Sequence, residues 1–113
     1  MKDIRLQEIY RTKINQETSR IAWKELQRFF ANGAVVLVMD NADLVEVAFQ
    51  ISEDNQQQVA IWLSSGIIGK VTDEQALAWF EADADVWAVV VSPYVLVQKS
   101  KDKLQGYTEK QVS

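Results

Sequence analysis

Two continuous runs of apolar residues constrain the fold of this chain more than any other sequence feature. The first covers residues 34–39, and the second covers residues 86–98 with an interruption at Ser92-Pro93. Successive side chains of a strand point to opposite faces, so each run predicts a strand that is covered on both faces. Because proline has no N–H to donate to a neighbouring strand, position 93 predicts a bend, a bulge or an edge.

Residues 44–51 follow the first run after a short turn and alternate between apolar and more polar residues. The inward positions in this interpretation are Val45, Val47, Phe49 and Ile51. A period of two is typical of a strand with one buried face. The turn at residues 40–43 is rich in Asp and Asn, which favour tight turns. The sequence therefore predicts a β-hairpin of residues 34–39 and 44–51, with the strand 86–98 completing a small sheet.

Helical spacing of apolar residues predicts four helices, at about residues 3–14, 21–31, 53–63 and 73–82. The resulting α+β domain has the order α-α-β-β-α-α-β, and we expect the helices to pack mainly on one face of the sheet. Helices on both faces are the alternative, which the continuous apolar runs also permit. We place the single globular domain at residues 1–98 and a polar C-terminal tail at residues 99–113.

The amino-acid composition excludes several classes of function. The chain contains no cysteine and no histidine, which excludes thiol catalysis, a Ser-His-Asp triad and the usual zinc ligands. Its net charge of -4 argues against binding to nucleic acid, and it has no apolar run long enough for a membrane span. The absence of cysteine fits a reducing compartment, so we expect a cytoplasmic protein. We also expect no metal and no cofactor.

Two groups of side chains are candidates for contact with a partner or ligand. Arg20, Lys24 and Arg28 are spaced four residues apart, so a continuous helix would place them in one basic stripe. This stripe predicts either an anionic ligand or partner, or a solvated helix face. If the domain meets a partner, Trp79 and Trp87 are the tryptophans that we expect to contact it, because large aromatic residues are frequent in interfaces. In a monomer we expect Trp87 in the core instead.

Two clusters of acidic residues are alternative candidates for a functional site. One group follows the first apolar run, and the other follows the last predicted helix. The groups are Asp40, Asp43 and Glu46, and Glu81, Asp83 and Asp85. Either group would have to converge in a pocket to support carboxylate-based or metal-dependent catalysis. The second group is also what a solvated connection after a helix looks like.

Four segments of the chain carry a resemblance to a known family. They read WKELQRFF at 23–30, DLVEVA at 43–48, VTDEQA at 71–76 and WAVVVSPYVLVQ at 87–98. Together they resemble a bacterial family of small proteins, the domain of unknown function with index twenty-two eighty-eight. The resemblance covers about residues 6–98 and implies a single-domain cytoplasmic protein. It assigns no activity and no functional residues.

The sequence favours a non-enzymatic binding or protein-interaction module, whose protein partner it does not name. A homodimer is one form of this hypothesis, since short helices would leave a sheet face exposed and Trp87 would anchor a contact between two copies. A carboxylate-based enzyme and a sensor of a small anionic ligand are the alternatives. The enzyme needs converging acids, whereas the sensor needs the basic stripe.

Overall fold

Helices and short strands make up residues 4–99, which is the part of the chain that the computed structural model describes. The helices of this part are α1 (Ile4–Glu17), α2 (Gln27–Ala31), α3 (Leu44–Ser52), α4 (Gln56–Ser65) and α5 (Asp73–Glu81), with a 3-10 helix at Trp23–Leu26. Its strands are β1 (Ser19–Ala22), β2 (Val35–Val38), β3 (Ile68–Gly69), β4 (Asp85–Val91) and β5 (Tyr94–Gln98). The predicted α+β class is confirmed.

Within the described residues, the strands form one mixed sheet in the order β1-β4-β5-β2-β3. The predicted single strand at residues 86–98 is wrong, because the chain reverses at Ser92-Pro93 and β4 pairs with β5 as an antiparallel hairpin. Strands β2 and β5 are parallel, whereas the other neighbours are antiparallel. The carboxyl ends of β2 and β5 therefore lie at the same edge of the sheet.

The predicted strand at residues 44–51 is a helix, so the predicted hairpin of 34–39 and 44–51 is wrong. Helix α3 buries Leu44, Val47 and Ala48, which are spaced at three and four residues. The side chain of Asp43 accepts hydrogen bonds from the first turn of α3 and caps it. A spacing of four residues, as between Val47 and Ile51, fits a strand and a helix equally. The Asp43 cap favours a helix over a strand at residues 44–51, and burial of Leu44 stabilises this helix further.

The predicted helix at residues 21–31 is also only partly correct. Its first residues form β1, in which Ile21 pairs with Val86 of β4. The chain then turns through the 3-10 helix and enters α2. The backbone N–H of Trp23 donates to the carbonyl of Ala84 at 2.8 Å, which extends the contact between this segment and β4. Pairing with a strand more than sixty positions away replaces the first turns of the helix.

Helices cover both faces of the sheet, so the prediction of helices mainly on one face is wrong. One face is packed by the 3-10 helix, α2 and α5, and its strand residues are Val35, Leu37, Val86, Ala88, Val95 and Val97. The other face is packed by α1, α3 and α4, and its strand residues are Val36, Val38, Trp87, Val89 and Leu96. The strands are apolar on both sides, so a second helical layer removes the second apolar face from water.

Local signals in the sequence define the ends of two helices. Thr72 and Gln75 form a capping box at the start of α5. Gly66 ends α4 in a left-handed conformation with φ of 82°, which glycine adopts without steric cost. The domain limits 1–98 remain a prediction, and the predicted polar tail lies outside the described residues after Lys99.

Candidate functional site

The predicted basic stripe does not exist as one helical face. Arg20 lies in β1, Lys24 in the 3-10 helix and Arg28 in α2. The guanidinium of Arg20 lies over the ring of Trp87, 5.6 Å from its centroid. It also lies 3.9 Å from a carboxylate oxygen of Asp85. Arg20 therefore packs on the side of the sheet that α1, α3 and α4 cover.

Lys24 lies on the opposite side of the sheet. Its ammonium is 3.5 Å from Asp83 and 5.1 Å from the centroid of the Phe80 ring. The guanidinium of Arg28 lies 5.6 Å from the centroid of the neighbouring Phe29 ring. Each of these cations has an acidic or aromatic neighbour, and the fold separates Arg20 from Lys24. The three cations therefore do not form one continuous helical stripe, and their contact with an anion remains a prediction.

The two candidate tryptophans also lie on different faces of the sheet. Trp79 is half-buried and meets the ring of Trp23 edge to face, with 5.1 Å between centroids. Trp87 is half-buried in the other apolar cluster. They do not share one surface, so a single contact with a partner through both is not available. Their individual contact with a partner remains a prediction.

The edge where β2 and β5 end carries a polar cleft of about 720 Å³. Its walls come from α1, from the loop between β2 and α3, from the first turn of α3 and from the end of β5. The polar residues lining it are Arg11, Thr12, Asn15, Asp40, Asn41, Asp43 and Gln98. Ligand sites of sheets with parallel strands are frequent at the carboxyl ends of those strands, so this cleft is a first candidate.

Gln98 shapes this cleft and was not predicted as a functional or structural residue. Its side chain is 1% exposed, and its amide nitrogen donates to the carbonyls of Met39 and Ala42, both at 2.8 Å. These bonds hold the loop between β2 and α3 against the end of β5. The sequence signal for this role is a polar side chain at the last inward position of an apolar strand.

The carboxylates of the first acidic group are engaged within the fold. Asp43 accepts from two backbone N–H groups of α3, at 3.0 and 3.2 Å. Glu46 accepts from Arg11 at 2.7 and 3.3 Å and from Gln50 at 2.7 Å. The guanidinium of Arg11 also lies 4.1 Å from the centroid of the Phe49 ring. These contacts fasten α1 to α3.

The second acidic group does not converge either, since Asp83 lies beside Lys24 and Asp85 beside Arg20. Within residues 4–99, no three acidic side chains are arranged so that they could hold a metal ion. Asp40 and Asp43 both line the cleft at the end of β2 and β5, but Asp43 also caps α3, and Asp83 and Asp85 lie in ion pairs.

The Arg11–Glu46 pair makes stability depend on pH. The hydrogen bond from Arg11 lowers the pKa of Glu46, and this outweighs the opposing effect of burial. A lowered pKa in the folded state stabilises the protein above the unfolded-state pKa of about 4.3, and this stabilisation is lost as the pH falls below it. Glu46→Gln should therefore lose less unfolding free energy than the wild type between about pH 5 and about pH 3.

Urea unfolding at a series of pH values measures this difference. Glu8→Gln is the matched control, because Glu8 is 3.5 Å from Arg11 but its side chain is 68% exposed. Its pH profile should follow that of the wild type. Parallel profiles for all three proteins would contradict a stabilising role for the Arg11–Glu46 pair.

A second candidate site lies at the opposite end of the β4–β5 hairpin. Two adjoining clefts of about 490 and 480 Å³ share Ser52, Val91 and Ser92 in their walls. One cleft extends to α1 and reaches Tyr10. The other extends to α4 and reaches Leu63. We call the combined surface of these clefts the hairpin-end surface.

Large apolar side chains surround the hairpin-end surface and are open to solvent. Tyr10 is 45% exposed, Leu63 55% and Tyr94 42%. Each of them lines one of the two clefts. Sequence reasoning missed this surface because it expected one strand over residues 86–98, whereas the chain reverses at Ser92-Pro93 and forms a hairpin end there. The apolar surface can therefore meet another molecule without any unfolding.

The fold defines the protein as a small α+β domain with a mixed sheet that carries helices on both faces. The chain belongs to the family described as Protein of unknown function (DUF2288), whose family model matches residues 9–99. The resemblance found in the sequence is confirmed. In residues 4–99, every helix is too short or too polar to cross a membrane.

Among solved structures, the chain is similar to PA1075 from Pseudomonas aeruginosa, whose structure was determined by NMR in solution. The two are 39% identical and superpose with a TM-score of 0.71, over 91% of this chain and 93% of that chain. This relative is bacterial, as the resemblance implies for the family. A comparison with curated proteins found no match.

Proposed function

We propose that the protein is a non-enzymatic, cytoplasmic interaction module that binds a protein partner through the hairpin-end surface. The observation that carries this proposal is the group of exposed apolar side chains around its adjoining clefts. Monomeric soluble proteins rarely leave a contiguous apolar patch of more than a few hundred Å² in water, and grouped apolar side chains with a polar rim are typical of an interaction site.

The chemistry of the side chains supports this use. Tyr10 and Tyr94 each combine an apolar ring with a hydroxyl that tolerates water, and tyrosine is enriched in protein interfaces for this reason. Ser52 and Ser92 place small polar groups between the clefts. Leu63 adds an aliphatic side chain from α4. Aromatic and aliphatic anchors beside polar groups are the composition expected of an interface centre and its rim.

The polar cleft at the carboxyl ends of β2 and β5 supports a catalytic role less well. Asp43 and Glu46 already accept internal hydrogen bonds, and Gln98 holds the adjacent loop. Groups used in this way stabilise the loop and helices around them. A catalytic acid or base needs to exchange protons with a substrate, which such internal bonds oppose.

Photo-crosslinking in the native host tests the proposal. Tyr94→p-benzoylphenylalanine places a reactive group within the hairpin-end surface, and we expect it to yield a discrete covalent adduct with a protein. The matched control is Leu77→p-benzoylphenylalanine, because Leu77 is 58% exposed but lies on α5, across the sheet. The control should give no such adduct.

The mass of the adduct separates two forms of the proposal. An adduct of two copies indicates a homodimer, and an adduct of another mass indicates a different partner. Equal crosslinking at both positions, or none at position 94 while the protein is folded and expressed, would contradict an interaction module that uses this surface.

A further inference from the structure

We infer that the partner of the hairpin-end surface is a protein segment that presents apolar anchors flanked by lysine or arginine. This inference rests on the proposed function and adds the chemistry of the partner. The acidic residues around the clefts are Glu17, Glu53 and Asp54, whereas Lys13 is the basic residue among those lining them. The described rim of the surface is therefore net negative.

The placement of these acids makes the charge useful for recognition. Glu17 lies at the end of α1 beside one cleft, and Asp54 lies after α3 beside the other. Exposed apolar side chains line both clefts, with Tyr10 in the first and Leu63 and Tyr94 in the second. Charges at a rim orient an approaching partner and raise its association rate, while the apolar centre supplies most of the affinity.

The whole chain is also negatively charged, like the rim of the surface, with a net charge of -4. A basic segment is attracted to such a protein over the range of the Debye length, about 8 Å at physiological ionic strength. A second copy would instead bring two net negative rims together. Charge complementarity thus favours a basic partner over self-association at this surface.

The partner needs apolar side chains as well as cations. The clefts are open at the surface and have volumes of about 480 and 490 Å³, which leaves room for a large side chain in each. The residues shared by the two clefts would lie between two such side chains of the partner. An amphipathic helix with basic residues beside its apolar face has this chemistry.

Two synthetic helical peptides test the inference. Both carry the same leucine and phenylalanine face, and they differ only in lysine or glutamate at the flanking positions. Titration into the full-length protein is followed by the backbone amide resonances in NMR spectra. We expect the lysine peptide to shift resonances of residues 52–54, Val91, Ser92 and Tyr94 in a saturable manner, and the glutamate peptide to shift none of them.

Matched charge variants separate local recognition from general attraction. Glu17→Gln combined with Asp54→Asn should weaken binding of the lysine peptide about fivefold, since each rim pair is worth only a modest free energy. Asp73→Asn combined with Glu74→Gln removes the same charge from α5, on the other face of the sheet. This control should leave the dissociation constant unchanged.

The remaining outcomes overturn the inference. Equal weakening by both double variants, or equal binding of both peptides, would show that the rim acids do not select the partner. A concentration-dependent dimer in sedimentation equilibrium that Tyr94→Ser disperses would assign the surface to a second copy. If crosslinking at position 94 succeeds while neither peptide binds, the interaction module stands and its basic partner does not.

Discussion

Trp23→Ala is expected to destabilise the protein by about 3–5 kcal/mol, the cost of removing a large aromatic side chain from a core. Trp23 is fully buried, and its ring nitrogen donates to the carbonyl of Ala76 at 3.0 Å. The ring also meets Phe30 and Trp79 edge to face. The substitution would leave a cavity and an acceptor without its donor. Urea denaturation measures the loss.

Trp79→Ala is the matched control for that prediction. It removes the same type of side chain from the same cluster, but Trp79 is half-buried, so less surface returns to water. We expect a clearly smaller loss of unfolding free energy. Trp23→Phe should lie between the two variants, because it keeps an aromatic ring and loses the hydrogen bond. An equal loss for Trp23→Ala and Trp79→Ala would contradict the central position of Trp23.

Gln98→Leu should destabilise the protein by about 2–3 kcal/mol, although leucine is similar in size and more apolar. The wild-type amide donates to the carbonyls of Met39 and Ala42, and leucine leaves both acceptors without that donor. The loop between β2 and α3 should also become more open. Hydrogen exchange of the Asp43-capped first turn of α3 measures this local effect, and denaturation measures the global one.

Gln98→Glu tests the same role of Gln98 through the pH dependence of the unfolding free energy. An ionised carboxylate would face two carbonyl oxygens, whereas a protonated carboxyl can donate one hydrogen bond. Burial and these oxygens should raise the folded-state pKa of the new side chain. The variant should therefore lose unfolding free energy as the pH rises above the unfolded-state value of about 4.3.

Gln75→Glu is the control for this variant, because glutamate also serves at its position in a capping box. Its stability should change little between acid and neutral pH. A Gln98→Glu protein as stable at neutral pH as the wild type would contradict the role assigned to the Gln98 amide.

Local chemistry in the sequence was sufficient for several elements. The apolar runs at 34–39 and 86–98 gave strand-forming segments, and the Thr72–Gln75 capping box marked the start of α5. These features depend on neighbours a few residues apart. The family resemblance likewise rested on four contiguous segments, and the match over residues 9–99 confirmed it.

The candidate site was less accessible to sequence reasoning. Arg20 and Lys24 were expected on one helix, but pairing of β1 with β4 moved Arg20 onto the other side of the sheet. Exposure of Tyr10 and Tyr94 depends on which helices reach the end of the hairpin. The residue pattern within α1 or β5 does not predict this exposure, because the exposure depends on how separate helices and strands pack together.

By itself, then, the sequence determined the α+β class, the family and the local ends of helices. The tertiary structure decided that residues 44–51 form a helix, that helices cover both faces, and that β2 runs parallel to β5. The physical reason lies in the range of the interactions. Caps and turns are satisfied by adjacent residues, whereas strand pairing and burial of apolar faces are satisfied only by segments far apart in the chain.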